Sequence, residues 1–233
     1  MKICLIGIGG INEGKLNLKD PRLDQADKLA EAKKKTYAQV DTVGEDRALE
    51  SDAILVHRDH YADVILKDLE FVETRLGREP LEAEKTVLNK IKDRLENEQC
   101  VFNAGLTEGE LLAVVAHSFH TNKPVVVAES TDLENPDNLL LRAVKESGYV
   151  SFLTVGGKEN RAWLIRGGTT AWEAAGAIHS DIQKGFIRVE VISFDDFVQA
   201  GGETMAKRAG KQRLETKQYV MQDCDVVNFR FNK

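Results

Sequence analysis

Thr154-Val155-Gly156-Gly157-Lys158-Glu159-Asn160-Arg161-Ala162-Trp163-Leu164-Ile165-Arg166-Gly167-Gly168-Thr169-Thr170-Ala171 is the densest run of structural signals in the chain. Two apolar runs, 149–155 and 161–165, flank the turn Gly156-Gly157-Lys158-Glu159-Asn160, a pattern that predicts a β-hairpin. Thr170-x-x-Glu173 is a capping box, in which hydroxyl and carboxylate satisfy free amides at a helix start. Ala174, Ala175 and Ile178 then give a short helix a small-residue face. Gly185 precedes a strand over 186–193, with Ile187, Val189 and Val191 on one side and Arg188 and Glu190 on the other. Val227, Phe229 and Phe231 alternate with Asn228 and Arg230 in a last strand over 225–232. Hairpin, helix and further strands predict a small α+β domain, a sheet curled over one helix, which suits a β-grasp.

The same stretch closely resembles the C-terminal TGS-like domain of the Obg-like ATPases, the YchF-type branch of the P-loop GTPase relatives. The shared residues include Arg161-Ala162-Trp163, Gly168-Thr169-Thr170-Ala171, Glu173-Ala174-Ala175-Gly176, Ile178-His179, Gly185-Phe186-Ile187-Arg188 and Phe229-Arg230-Phe231. Between them lie Asp195-Asp196-Phe197, Gly201-Gly202-Glu203 and Ala209-Gly210-Lys211. Trp172 departs from the family, which has proline there. The resemblance implies a TGS-like β-grasp over 148–233 that contacts RNA, the ribosome or a protein partner.

The chain has 233 residues, 42% hydrophobic and 30% charged, which is enough for one or two globular domains. No apolar run approaches the roughly 20 residues of a membrane helix. Cys4, Cys100 and Cys224 stand far apart without a C-x-x-C, which reads as reduced thiols in a cytoplasm. Net charge is −6, unevenly spread: residues 148–233 hold 12 lysines and arginines against 10 acids, while the remainder holds 20 against 28. A basic tail on an acidic body permits a nucleic-acid partner without demanding one.

Upstream, the apolar run from Lys2 to Ile6 before glycines predicts a buried first strand of a parallel sheet. Gly9-Gly10-Ile11-Asn12-Glu13-Gly14-Lys15 then fits G-x-x-x-x-G-K. A working phosphate loop also needs Ser or Thr after the lysine to hold magnesium, and a helix whose first amides meet the phosphates. Here Leu16-Asn17-Leu18-Lys19-Asp20-Pro21 follows, and proline in an alternating stretch argues for strand and turn. The residues from Ile11 to Asp24, with Asp20-Pro21-Arg22-Leu23, resemble a later segment of the family, joined directly to the first strand. The resemblance thus implies a shortened form lacking the phosphate loop. Asp41-Thr42-Val43-Gly44 fits D-x-x-G, which in the family touches magnesium and the γ-phosphate, and 51–56 resembles the strand that follows. Gly9, Gly14, Lys15, Asp41 and Gly44 are the candidate nucleotide set, with ATP or GTP and magnesium as its ligands. Otherwise no cofactor is expected.

Residues 24–33 read as a helix and 37–41 as a strand. Ile65, Leu69, Val72 and Leu76, then Leu81, Leu88, Ile91 and Leu95, predict an antiparallel helical hairpin over 61–96. At about 16 residues a side it reaches roughly 24 Å. It resembles the coiled-coil arm of the family, and reads either as a packing element or as an arm for a macromolecular partner. Thr107-x-x-Glu110 caps a helix that continues over 111–119, and 124–128 is a short buried strand. Ala128-Glu129-Ser130-Thr131-Asp132 lacks the asparagine with which the family reads a base. Asn135-Pro136 opens a helix that runs to Ser147 and stops at Gly148.

His57-x-x-His60 and His117-x-x-His120 have spacings compatible with a metal, but nothing pins the pairs together and no metal is expected. Lys207, Arg208, Lys211, Arg213 and Lys217 form the most basic stretch, able to meet phosphates or simply to be solvated. The expected architecture is α/β: a reduced parallel-sheet, P-loop-GTPase-like domain over 1–147 with the inserted hairpin, then the β-grasp over 148–233. The leading function is a non-catalytic binding protein; the alternative is an atypical ATP/GTP-binding protein or hydrolase. Oligomeric state stays open.

Overall fold

β1 (Lys2–Ile6) and β5 (Ala53–His57) are short runs almost free of polar side chains, and they pair in parallel from Ile3↔Ala53 to Ile6↔Val56. Such runs need cover on both faces, which a parallel sheet provides. In the computed structural model, which describes residues 1–232, five strands are ordered β2-β4-β1-β5-β6, with β2 (Gly14–Asn17), β4 (Gln39–Val43) and β6 (Val125–Ala128). The β1–β4, β1–β5 and β5–β6 pairings are all parallel. Cys4, Ile6, Val43, Ile54, Val56 and Val64 form its apolar core.

The chain divides into two compact units. The first is Met1–Leu16 with Val40–Leu139; the second is Asn17–Gln39 with the chain from Leu140 onward. The boundary expected at 147/148 is therefore displaced, and the second unit is discontinuous. The reason is a strand pairing invisible in local sequence: β3 (Lys34–Thr36) runs parallel to β8 (Glu159–Arg166) as Lys34↔Glu159 and Thr36↔Arg161.

In the first unit, α2 (Tyr61–Leu76) and α3 (Glu82–Glu96) form the expected hairpin. Its seam of Ile65, Val72, Val87, Leu88, Ile91 and Leu95 is closed by Cys100, Val101, Val114 and Phe119. α4 (Glu108–Ala113) has the predicted capping box of Thr107 and Glu110 but ends well before Phe119. The chain leaves the helix there because Val114 and Phe119 turn into the hairpin seam, and the amides of His120 and Thr121 bind Asp68 at 2.8 Å each.

The second unit holds a six-stranded sheet ordered β10-β9-β11-β7-β8-β3. β7 (Tyr149–Thr154) and β8 make the predicted hairpin, from Tyr149↔Arg166 to Thr154↔Arg161. Gly156, at φ +81°, makes the turn, and its N–H donates to Asn160 Oδ1 at 3.0 Å. β11 (Asp225–Phe231) lies parallel to β7 and antiparallel to β9 (Phe186–Ile192), and β10 (Arg213–Glu215) is the edge beyond β9.

The sheet is covered on both faces, where one helix was expected. One face packs Phe152, Ile165, Val189, Val191 and Val227 against Ala171, Ala174 and Ala175 of α6 (Ala171–Ile178). On the other face, the fully buried Asn160 side-chain amide donates to Asp27 Oδ1 and to the Ala30 carbonyl at the end of α1 (Pro21–Leu29). α1 starts earlier than the expected 24–33 because Asp20 caps it, accepting from Arg22 N–H, with Pro21 at its first position. The strand expected at 37–41 lies at β4, preceded by β3.

Ile187 is not on the core side with Val189 and Val191. The β9–β11 register shifts between Arg188↔Arg230 and Phe186↔Phe231, so Ile187 is the unpaired bulge residue. Phe186 takes its place in the core, and Ile187 is exposed. α5 (Pro136–Glu146) runs as predicted and stops before Gly148, at φ +78°.

Candidate functional site

In open α/β sheets ligands bind beyond the carboxyl ends of the strands, so the loop after β1 is the first place to look. Gly7 there has φ +66°, and a Cβ on it would lie 2.1 Å from His60 Cδ2. The His60 ring therefore closes over the backbone where the candidate loop begins. At the ends of β5 and β6, His57 Nε2 lies 3.2 Å from Ser130 Oγ and Arg58 Nε donates to Glu129 Oε1 at 2.9 Å. Both contacts hold the segment after β6, where Ala128-Glu129-Ser130-Thr131-Asp132 carries no asparagine.

Gly9 and Gly14 frame a loop that enters β2 directly, so Lys15 lies within a strand and is exposed. The next helix begins at Pro21, and Asp20 already satisfies its first free amide. Thr42 Oγ1 of β4 donates to the carbonyl of Asn12 at 2.8 Å and of Gly14 at 3.0 Å, holding the loop by its oxygens. Lys15 and Asp41 lie on neighbouring strands, β2 and β4, with Asp41 opposite Lys2 at the start of β1. Gly44 is at the other end of β4, and a Cβ on it would meet Glu13 Oε1 at 2.7 Å and Asp46 Oδ1 at 3.0 Å. Carboxylates crowd the place where the motif would need an anion cradle.

The histidines are dispersed. His60 Nδ1 lies 3.3 Å from Asp63, His117 Nε2 2.8 Å from Glu84, and His120 Nδ1 3.2 Å from Asp68. No group of three or more His, Cys, Asp or Glu among the described residues is placed to hold a metal.

The basic stretch forms a second candidate, on α9 (Glu203–Arg208), the turn after it and β10. Local charges offset part of it. Lys207 Nζ pairs with Glu203 at 2.7 Å, which raises the Lys207 pKa, and Lys211 Nζ pairs with Asp196 at 3.0 Å, which with the Ser193 hydroxyl lowers the Asp196 pKa. Arg213 donates to Tyr219 Oη at 3.0 Å and lies over its ring. Arg208 and Lys217 are exposed and have no carboxylate within ion-pair distance among the described residues. The backbone N–H of Trp172 donates to the Lys217 carbonyl at 3.3 Å, and Trp172 is 44% exposed.

Residues 149–232 match the family model described as YchF-GTPase_C, a protein of unknown function (DUF933). The chain is 34% identical over 209 residues to the "Ribosome-binding ATPase YchF" of Haemophilus influenzae, an alignment covering 67% of this chain and 58% of that protein. It is 51% identical over 102 residues to the protein of the same name in Escherichia coli O157:H7, covering 43% of this chain and 28% of that one. The chain thus spans little more than half the length of the relatives it matches. A structure titled that of the Schizosaccharomyces pombe YchF GTPase superposes with a TM-score of 0.75 at 17% identity, covering 99% of this chain and 97% of that one, which shows the shared fold. No helix among the described residues is long and apolar enough to cross a membrane. The strongest likeness lies in the C-terminal residues, which match the C-terminal domain of the YchF-type Obg-like ATPase family.

Proposed function

We propose that this protein is a non-catalytic ribosome-binding member of its family, in which a TGS-like, β-grasp module in the second unit presents a basic face to RNA phosphates. The observation that carries the proposal is that Arg208 and Lys217 are exposed with no acid partner among the described residues, on a segment where the neighbouring cations are already matched by acids. Cations without an internal partner gain most from meeting phosphate, because no existing ion pair has to be broken. The curated relatives are named ribosome-binding, which supports the same partner. Co-sedimentation of the protein with ribosomes over a salt series tests this reading. Loss of pelleting as salt rises supports it; no pelleting at low salt, with capture of a protein partner instead, overturns it.

The second reading is an ATP/GTP-binding protein or hydrolase that uses Gly9, Gly14, Lys15, Asp41 and Gly44 with magnesium. The relatives' ATPase name favours it. The strand at Lys15 and the carboxylates at Gly44 weigh against it. Turnover of ATP or GTP with magnesium, well above a denatured control, would replace the first reading with this one.

A further inference from the structure

Within the second unit, a cavity of about 340 Å³ opens against the α1 face of the sheet. Its apolar wall is built by Leu18, Pro21, Ala38, Leu141, Ala162 and Leu164. Apolar cavities of about 150 Å³ already take up benzene, so this one has room for a larger hydrocarbon body. The polar lining is not random. Arg22 is held by Asp20 at 2.7 Å and by Asp223 at 2.7 Å, and Asp223 Oδ1 also accepts the Ser151 N–H at 3.1 Å. That group is internally matched. Lys145 on α5 brings positive charge to the same lining and is exposed.

Ser151 supplies the second observation. It lines the cavity, is 9% exposed, and its Oγ has no hydrogen-bond partner among the described residues. Its backbone is fully engaged, since the Ser151 carbonyl accepts Cys224 N–H at 2.7 Å. Buried hydroxyls are almost always paired, because an unmade hydrogen bond in a dry site is costly. An orphan hydroxyl beside the apolar wall of a cavity is a group open to a ligand atom.

We propose that this cavity binds a small apolar organic anion. Its hydrocarbon body packs on Leu141, Ala162 and Leu164, its negative group faces Lys145, and one polar atom meets Ser151 Oγ. Few, convergent polar groups on an apolar wall are the usual build of a small-molecule site. The site is separate from the basic face that carries the proposed ribosome contact and does not depend on it.

The test is fluorescence titration of the full chain with 1-anilinonaphthalene-8-sulfonate, an aromatic body with one sulfonate, and with its neutral analogue N-phenyl-1-naphthylamine. The expected result is saturable one-to-one binding of the sulfonate. Lys145→Glu, a surface change, weakens the sulfonate about fivefold and leaves the neutral analogue unchanged. Ala162→Leu, which fills the cavity, weakens both dyes. Ser151→Ala weakens the sulfonate while raising the melting temperature of the free protein, because it removes an unpaired buried hydroxyl; a purely structural serine would move only the second readout. The proposal is overturned if the sulfonate does not bind, or if it binds equally well to the Lys145→Glu and Ala162→Leu proteins.

Discussion

Asp68, in the middle of α2, and Thr121, just before β6, are joined by two hydrogen bonds to one carboxylate oxygen. Oδ2 of Asp68 accepts the Thr121 N–H at 2.8 Å and the Thr121 hydroxyl at 2.7 Å. Oδ1 accepts His120 N–H at 2.8 Å. Asp68 is 1% exposed and Thr121 fully buried, so the carboxylate fixes the path of the segment that closes the hairpin seam. Asp68→Ala leaves two amides and a hydroxyl without their acceptor. The expected cost is about 3 kcal/mol, read as a lowered urea midpoint. An unchanged midpoint would mean that water replaces the carboxylate fully.

A second pair gives the hairpin a pH dependence. Arg75 holds Glu84 with contacts of 2.6 and 2.9 Å, and His117 adds one at 2.8 Å; together they lower the Glu84 carboxyl to about 2. A lowered carboxyl stabilises the fold above its unfolded value near 4.5, and that contribution is lost as pH falls towards 2. Melting temperature measured from pH 6 to pH 2 should fall less steeply for Glu84→Gln than for the unaltered protein. Parallel curves would rule out this ion pair as an acid-sensitive element.

Gly7 and His60 make a steric prediction. Gly7→Ala places a methyl into the His60 ring and forces alanine to φ +66°. We expect a loss of about 2 kcal/mol from clash and backbone strain together. Adding His60→Ala should restore the clash component and leave the strain. Denaturant melts of the single and double variants separate the two, and a double variant no more stable than Gly7→Ala would refute the contact.

The proposed ribosome contact predicts a salt signature. Replacing Arg208 and Lys217 by alanine removes two phosphate contacts, so the slope of log affinity against log salt should fall by about 2 in magnitude. Lys15→Ala should leave the same slope unchanged. Filter binding to ribosomal RNA at four salt concentrations measures both.

The hairpin of β7 and β8, the capped starts of α4 and α6 and the α2–α3 pair were legible because each is written in neighbours: a glycine turn, a Thr-x-x-Glu, a heptad-like spacing. The membership of residues 17–39 in the second unit was not, because Lys34↔Glu159 joins positions that no local pattern links. Ile187 was misplaced for a related reason, since a bulge is a property of two strands and the alternation of one cannot show it. At the candidate sites, sequence named the cations but not their partners. Glu203 beside Lys207 is readable at helical spacing, whereas Asp196 beside Lys211 is a tertiary fact. The unpaired hydroxyl of Ser151 leaves no trace in sequence at all.

The pairing of β3 with β8 sets the terms for dissecting this molecule. A fragment starting at residue 148 would leave behind α1 and the strand that shields the β8 edge, exposing unpaired backbone and the underside around Ala162 to any passing chain. A soluble version of the second unit should therefore need residues 17–39 grafted on by a linker, and a truncation series that ignores this would mistake aggregation for loss of function.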